Sequence, residues 1–556
     1  METRTGVRER LLTGLPMSER RLELAGIPTS VLEGGEGSPI VLLHGPGEYG
    51  AKWLRVIPEL VKTHRVIAPD LPGHGASGAG EDVASHERVL DWLGALIDRT
   101  CGEPPVLVGQ IIGGAIAARF ACERGGRLSA LVLCDALGLA PFQPTPEFGQ
   151  ALAEFIGEPS GATHDRLWSR CAFDLDRLRT GLGERWDWIK AYNLDCARLP
   201  ELRAVQQALM QQFGLPAIAP DMLAGIAVPT ALIWGRHDLA TPLAVAEQAS
   251  RRLGWPLDVI ENAADDPPME QPQAFVATLR DALERARLRA AWDCIAPGYD
   301  RTNTATQIRL GAQALRRAGL GAGMRFLDVA AGSGALSIPA ARLGAQVVAI
   351  DQSAAMLEHL RARAAKEGLD IETRVMDGHR LALDDGSFDI AGSQFGVMLF
   401  ADMPRALREM ARVVRAGGRA MVAAYGDPQR IDFLRFLVGA LQRVRPSFDG
   451  PPMDPPPLEF QLADPQRLLS ELRAAGLRDV TVETVTETTD FASGSELWDW
   501  LVSSNPIVEE MLRCLELTQA ERATVVTALE ATVRERAGAG ATAALHNPVH
   551  IGVGSK

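Results

Sequence analysis

The run Leu327-Asp328-Val329-Ala330-Ala331-Gly332-Ser333-Gly334 puts an acid on an apolar strand and glycines in the turn that follows. A second apolar run, Val347-Val348-Ala349-Ile350, ends in Asp351. In a doubly wound sheet this pattern sets a nucleotide-like ligand at the carboxyl ends of neighbouring strands. Gly332 and Gly334 let the backbone pass close under the ligand, and Asp351 can accept both hydroxyls of a ribose. The spacing also suits a nicotinamide cofactor, but two features argue otherwise. Leu336-Ser337 stand where a third glycine is needed, and Asp328 before the turn repels a pyrophosphate but suits a cation. A dehydrogenase or a plain core β-α-β unit is the alternative.

The elements around this turn alternate strand and helix. Ala354-Ala355-Met356-Leu357 opens a helix, Glu372–Met376 is a strand ending at Asp377-Gly378, and Phe388–Phe395 is a strand running into a loop. Val413–Arg419 reads as a helix end and a glycine turn, followed by a strand over Ala420–Tyr425. Val480–Thr486 reads as a long strand and Pro548–Gly554 as a short one, with a helical insertion holding Trp498 and Trp500 between them. Pro339 falls in or just past the first turn of its helix, where amides lack partners anyway. Gly450–Pro457, rich in proline, reads as extended and polyproline-like.

The first half alternates in the same way. Ile40-Val41-Leu42-Leu43 runs into His44-Gly45-Pro46-Gly47, Val66-Ile67-Ala68-Pro69 precedes Asp70, and Val106-Leu107-Val108 runs into Gly109-Gln110-Ile111-Ile112-Gly113-Gly114. Both halves therefore predict α/β folds with mostly parallel sheets. The charged helical stretch Leu283–Leu288 marks the boundary, giving domains at 1–284 and 285–556, with residues 140–225 as a helical cap on the first.

Composition bounds the function. The 556 residues, 46% apolar and 23% charged, suit about two to four soluble domains. A net charge of −13 without a long basic run argues against nucleic acid. Seven scattered cysteines with no C-x-x-C pair favour free thiols over a disulfide frame or zinc site, and no metal ligand set is evident. The amino terminus lacks a signal-peptide core and no stretch approaches a bilayer span, so a cytoplasmic location is expected. Whether copies of the chain associate is left open.

The second half resembles class I S-adenosylmethionine-dependent methyltransferases, and its Trp292-Asp293…Tyr299-Asp300 string resembles the ubiquinone/menaquinone C-methyltransferase-like group. The resemblance implies a Rossmann-like domain that binds S-adenosylmethionine. Asp328, Ala330, Gly332, Gly334, Asp351 and Gln352 would line its first motif. Met356, Met376, Asp377 and Gly378 would lie on the adenine side, Tyr299 near the sulfonium, and Ser393, Gln394 and Phe395 beside donor and acceptor. Tyr299 is also readable as packing, and Asp377 as a solvated turn acid. No general base stands out; His379, His546 and Tyr425 are weak candidates. Helix Ile431–Val438, with Phe433, Phe436, Leu437 and later Phe448, would cover an apolar or aromatic acceptor.

The first half resembles the α/β-hydrolase fold, over about residues 18–283. In that family the third strand-turn reads G-x-S-x-G. Here Ile111 occupies the nucleophile's place, Asp238 the acid's, and Asp265 the histidine's. Isoleucine has no lone pair with which to attack a carbonyl. The expected function is thus methyl transfer to a small acceptor, with a catalytically dead hydrolase-like domain for binding or scaffolding. Two alternatives stand beside it. One is a bifunctional enzyme hydrolysing with unorthodox residues such as Asp238, Asp265, His44 or Cys134; the other is a non-catalytic ligand-binding scaffold.

Overall fold

The computed structural model describes residues 4–79, 85–450, 456–504, 508, 512 and 515–556. The chain divides into two compact units, Met1–Arg287 and Leu288–Lys556. Most of the proline-rich run at 450–457 lies outside the described residues.

The first unit holds strands β1 (Ser18–Leu24), β2 (Ile27–Gly34), β3 (Pro39–Leu43), β4 (Arg65–Pro69), β5 (Val106–Gln110), β6 (Ala130–Cys134), β7 (Thr230–Gly235) and β8 (Leu257–Ile260). They form one sheet in the order β1-β2-β4-β3-β5-β6-β7-β8. β2 pairs antiparallel with β1 and β4, and the other pairs are parallel. Strands β3, β6 and β7 are buried along their whole length. That is why they read as unbroken apolar runs and not as alternation. Between β6 and β7 lies a helical insertion, including helices over Pro146–Gly157, Gly161–Cys171 and Glu184–Arg198. The Thr145 hydroxyl and a Ser160–Thr163 capping box start the first two. Buried Trp168 and Trp186 meet edge to face, with ring centres 5.1 Å apart, and tie the insertion together.

The second unit holds β9 (Arg325–Val329), β10 (Gln346–Asp351), β11 (Ile371–Val375), β12 (Phe388–Gln394), β13 (Val414–Tyr425), β14 (Arg478–Phe491) and β15 (Ala543–Ser555). Their order is β11-β10-β9-β12-β13-β15-β14. The first five run parallel, and β15 lies antiparallel between β13 and β14. Strand order reverses between β9 and β12, so a ligand crevice opens at the carboxyl ends of these two strands. Pro339 is the third residue of the helix Ser337–Arg342, within its first turn.

Two sequence expectations need correction. The last strand is not short: β15 pairs with β14 from Arg478↔Ser555 to Phe491↔Ala543. Pro548, read as its start, sits where β15 parts from β13, whose pairing stops at Val549, so no ladder bond needs its missing amide. The glycine turn before the fifth strand is absorbed into β13, with Gly417 at φ 75° and a register shift against β12. No described helix is long and apolar enough to cross a membrane.

Candidate functional sites

The second unit's site grows from the ends of β9 and β10. Asp328 is buried on β9, and its carboxylate accepts the Ser337 hydroxyl at 2.5 Å. Past Val329 the chain turns through Ala330 at φ 58° and Gly332 at φ 53°. Asp351 closes the turn, accepting the Gly332 amide at 2.9 Å and the Ser353 amide at 2.8 Å. Ser353 in turn donates to Asp293 at 2.6 Å. A Cβ added to Gly332 would meet only Tyr299, at 3.5 Å. The turn is therefore open above, with one aromatic ring at its edge.

Burial drives the electrostatics. It raises Asp328 from 3.8 to about 7, opposed by the Ser337 bond and reinforced by Asp351. It raises Asp351 from 3.8 to about 6, opposed by backbone amides and reinforced by Asp293. Among the described residues, none of the main groups acting on either acid is a lysine or arginine. Two buried carboxyls without a cation make a site short of positive charge.

Beside this turn, Phe395 stands at φ 55° just past β12. Its ring stacks on Tyr425 at 4.3 Å, and the row continues through Phe433, Trp500 and Phe491 with centres 5.1–5.7 Å apart. Tyr299 donates its hydroxyl to Gln307 at 3.2 Å, and Gln394 donates to the Gln307 carbonyl at 3.2 Å. Ser393 accepts the Val397 amide at 3.0 Å and so shapes the loop after β12.

In the first unit, β5 ends at Gln110 and the chain turns sharply through Ile111, at φ 48° and ψ −109°. A β-branched residue there is strained. A Cβ on Gly109 would lie 2.4 Å from the Gly113 carbonyl oxygen, and one on Gly113 would lie 2.5 Å from that of Leu43. Close packing of strand and helix thus requires both glycines.

Ile111 and Glu48 crowd the Gly45 backbone beside this elbow. A Cβ on Gly45 would lie 3.3 Å from Ile111 Cδ1 and 2.8 Å from Glu48 Oε2, and the Gly45 amide donates to Glu48 at 3.0 Å. Lys52, buried, contacts Glu48 and bridges to Asp266 at 2.8 Å. Gln110 donates to the Asp265 carbonyl at 3.0 Å. Asp238 accepts the Ala240 and Thr241 amides at 2.7 and 2.8 Å. Asp135, at φ 45°, accepts the Gly235 amide at 2.9 Å. Burial raises Asp238 to about 7, and burial with the neighbouring acids raises Asp135 and Asp265 well above the carboxylate range. Asp135 and Asp238 act on each other, and their burial together favours the protonated form.

Comparison with known proteins bears on both units. Residues 40–278 match the alpha/beta hydrolase family, and residues 327–422 match a family described as a methyltransferase domain. The chain carries an α/β-hydrolase domain and a methyltransferase domain. It is 37% identical over 145 residues to an uncharacterized protein of Mycobacterium tuberculosis (strain ATCC 25618 / H37Rv), covering 26% of this chain and 52% of that protein. The chain thus spans about half the length of the first curated relatives it matches. It is 29% identical over 268 residues to a pimeloyl-[acyl-carrier protein] methyl ester esterase of Aeromonas hydrophila, covering 44% of this chain and 96% of the esterase. Among solved structures, a 2-hydroxy-6-oxo-6-phenylhexa-2,4-dienoate hydrolase from Rhodococcus sp. strain RHA1 aligns with a TM-score of 0.44 at 22% identity, over 48% of this chain and 99% of that one.

In the methyltransferase domain the structure gathers Asp328, Ala330, Gly332, Gly334, Asp351, Gln352 and Tyr299 around one turn, with Ser393, Gln394 and Phe395 following on the adjacent strand β12. Met356 packs inward against Ile295 and Ala296, and Met376 belongs to the main core. Next to Gly378, the Asp377 carboxylate accepts both the amide and the ring Nδ1–H of His379, at 2.9 and 2.8 Å. The His379 ring stacks on Phe400. His546 is exposed and pairs with Thr488, away from the row of aromatic rings that includes Tyr425.

In the hydrolase domain, Ile111, Asp238 and Asp265 follow β5, β7 and β8 in turn. His44 is structural: its Nδ1 pairs with the Gly45 carbonyl and its Nε2 accepts the Leu71 amide. Cys134 is buried and donates its thiol to Asp135 at 3.1 Å. The sequence reading missed Glu48, Lys52, Asp135 and Asp266; Lys52–Asp266 and Asp135–Gly235 join distant parts of the chain and leave no local signal, whereas Glu48 meets Gly45 and Lys52 close by in sequence. It also missed the supporting roles of Asp293, Gln307 and Ser337.

Proposed function

We propose that the chain is an S-adenosylmethionine-dependent methyltransferase acting on a small aromatic or apolar acceptor. Residues 285–556 form the catalytic domain, and residues 1–284 form a hydrolase-fold domain that binds or docks without hydrolysing. The observation that carries this reading is the pair Asp328 and Asp351, buried beneath an open glycine turn with no lysine or arginine among the main groups acting on them in the described residues. A ligand bearing an ammonium and a sulfonium supplies the missing charge; a pyrophosphate does not. Both Asp351 oxygens accept turn amides, and the carboxylate keeps lone-pair capacity for a ribose hydroxyl. Tyr299, beside Gly332, offers its face to the sulfonium. When bound, the donor supplies an activated methyl group; the chain's residues bind it, orient it and exclude water.

Three observations support a hydrolase domain without hydrolysis. The elbow residue is Ile111, the base position is an acid, and Glu48 places a carboxylate on the Gly45 amide where an oxyanion needs a donor. A hydrolytic second reading draws on the esterase relative and on Asp238, whose pKa of about 7 suits proton transfer. Calorimetry of S-adenosylmethionine against the whole chain tests the first reading. Micromolar binding that disappears in Asp351→Ala is expected, and no binding to folded protein overturns it. Turnover of 4-nitrophenyl esters abolished by Asp238→Ala is the outcome that favours the second.

A further inference from the structure

Along β14, Glu487, Thr489 and Phe491 share one face and are 6%, 3% and 3% exposed. Across the ladder Glu487 pairs with Asn547, itself 1% exposed, and Thr489 with Leu545. The Asn547 side-chain amide bonds one Glu487 oxygen. Among the described residues, three atoms on this face then have no hydrogen-bond partner: Glu487 Oε2, Thr489 Oγ1 and Asn547 Oδ1. A buried polar atom without a partner is destabilising. Three together on one strand pair indicate a face built to meet a polar ligand.

The neighbours say what kind. Phe491 on the same face leads through Trp500 and Phe433 to Tyr425 and Phe395, an aromatic row that ends beside β12. Glu487 also lies close to the donor turn. Its charge acts on the Tyr425 hydroxyl, and on the Tyr299 hydroxyl together with Asp351 and Asp328. The other charged group facing Glu487 is Arg309, whose guanidinium is spent in part on the Thr488 carbonyl at 3.3 Å. Burial nevertheless raises the Glu487 carboxyl from 4.5 to about 7.

We propose that Glu487, Asn547 and Thr489 form the acceptor end of the site, that the acceptor is a small aromatic with a ring hydroxyl, and that Glu487 takes its proton. This rests on the methyl-transfer reading above. The ring lies on the aromatic row, the hydroxyl donates to Glu487 Oε2, and the Thr489 hydroxyl donates to the acceptor oxygen. That oxygen forms the new bond to the methyl carbon while its proton passes to Glu487. The carbon–sulfur bond breaks and its electron pair stays on sulfur as a neutral thioether. Glu487 must start ionised, so the rate rises as pH passes about 7.

The test uses the full chain, Glu487→Gln, which keeps shape but cannot take the proton, and Glu487→Leu. S-adenosylmethionine binding is measured first. Unchanged affinity in both variants is expected and shows the donor site and the fold intact; no binding even to the unaltered chain overturns the methyl-transfer reading and this proposal with it. The second measurement is affinity for phenol and 2-naphthol against their methyl ethers, with the thioether product of the donor present. A preference of about tenfold for the hydroxyl form, lost in Glu487→Leu, is expected from one charge-assisted hydrogen bond. Equal affinity for naphthol and its ether overturns the acceptor class. The third is the pH profile of methyl transfer to whichever phenol reacts fastest. A fall of about 10²-fold in Glu487→Gln, with loss of the rising limb, supports the proton acceptor. A Glu487→Gln profile like the original, or no transfer to any phenol by the unaltered chain, overturns it.

Discussion

Ile111 and Ala330 are both non-glycine residues held at positive φ, 48° and 58°, where a parallel strand gives way to a helix. The two turns use one backbone device, yet their surroundings differ. Above the first, Ile111 Cδ1 and Glu48 crowd Gly45; above the second, a Cβ on Gly332 would meet nothing nearer than Tyr299 at 3.5 Å. The acids differ as well. Those near the elbow include Asp266, which has Lys52 to neutralise it, whereas among the described residues no lysine or arginine is a main influence on Asp328 or Asp351. The elbow's shape persists for packing reasons, because Gly109 and Gly113 hold strand against helix whatever the side chain at 111 can do. A strained turn is therefore weak ground for assigning activity. The open space above it and the unmet charge around it carry the information.

The contrast breaks most sharply at Asp351. Asp351→Ala removes the acceptor of two turn amides and the ribose partner, so S-adenosylmethionine affinity should fall at least about 100-fold, from two lost charge-assisted bonds of about 1.5–3 kcal/mol each. Calorimetry reads it, and wild-type affinity in the variant would dissolve the distinction between the turns.

The Asp135–Asp238 pair sharpens the other side. The folded Asp238 carboxyl is raised from 3.8 to about 7, so the folded state holds a proton that the unfolded chain releases. Stability of the first unit therefore falls as pH rises from about 4 to about 7. Asp238→Asn keeps an oxygen for the Ala240 and Thr241 amides and carries no charge. Its unfolding temperature should exceed the original's by about 5 °C at about pH 8 and match it at about pH 4, in calorimetric scans.

Smaller effects separate packing from recognition. Tyr299→Ala should weaken donor binding about tenfold while Tyr299→Phe leaves it within about twofold, because the ring face and not the hydroxyl meets the sulfonium. Equal losses in the two variants would assign the effect to the Gln307 hydrogen bond instead. Ile111→Gly relieves strain worth about 1–3 kcal/mol and gives up a half-buried side chain, for a net gain of about 1 kcal/mol in denaturant melts of the first unit. A net loss would mean that Ile111 is there to fill the pocket more than the strained turn costs.

Much of the fold was legible because the central strands of both sheets are buried on both faces. Strands such as Ile40–Leu43 and Val347–Ile350 are apolar throughout, and each acid or glycine at a strand end stands out against them. The donor-side turn was readable for the same reason. Glu487 was not singled out, although it lies in register with Val485 and Phe491, and an acid on the apolar step of an alternating strand was the available signal. Pro548 misled in the opposite direction, since a proline is harmless where one of two neighbouring strands has already departed.

The sequence by itself determined the two α/β units, the acid–glycine turn of 327–334 with Asp351, and the absence of a hydroxyl or thiol at position 111. These depend on residue type and short spacing, which local backbone geometry reads directly. Only the tertiary structure decided that Glu48 occupies the Gly45 amide, that Lys52 neutralises Asp266, and that Glu487 and Asn547 meet across a ladder with polar atoms to spare. Except for Glu48, each pairs residues from distant parts of the chain, and whether a buried charge meets a partner is settled by packing in three dimensions.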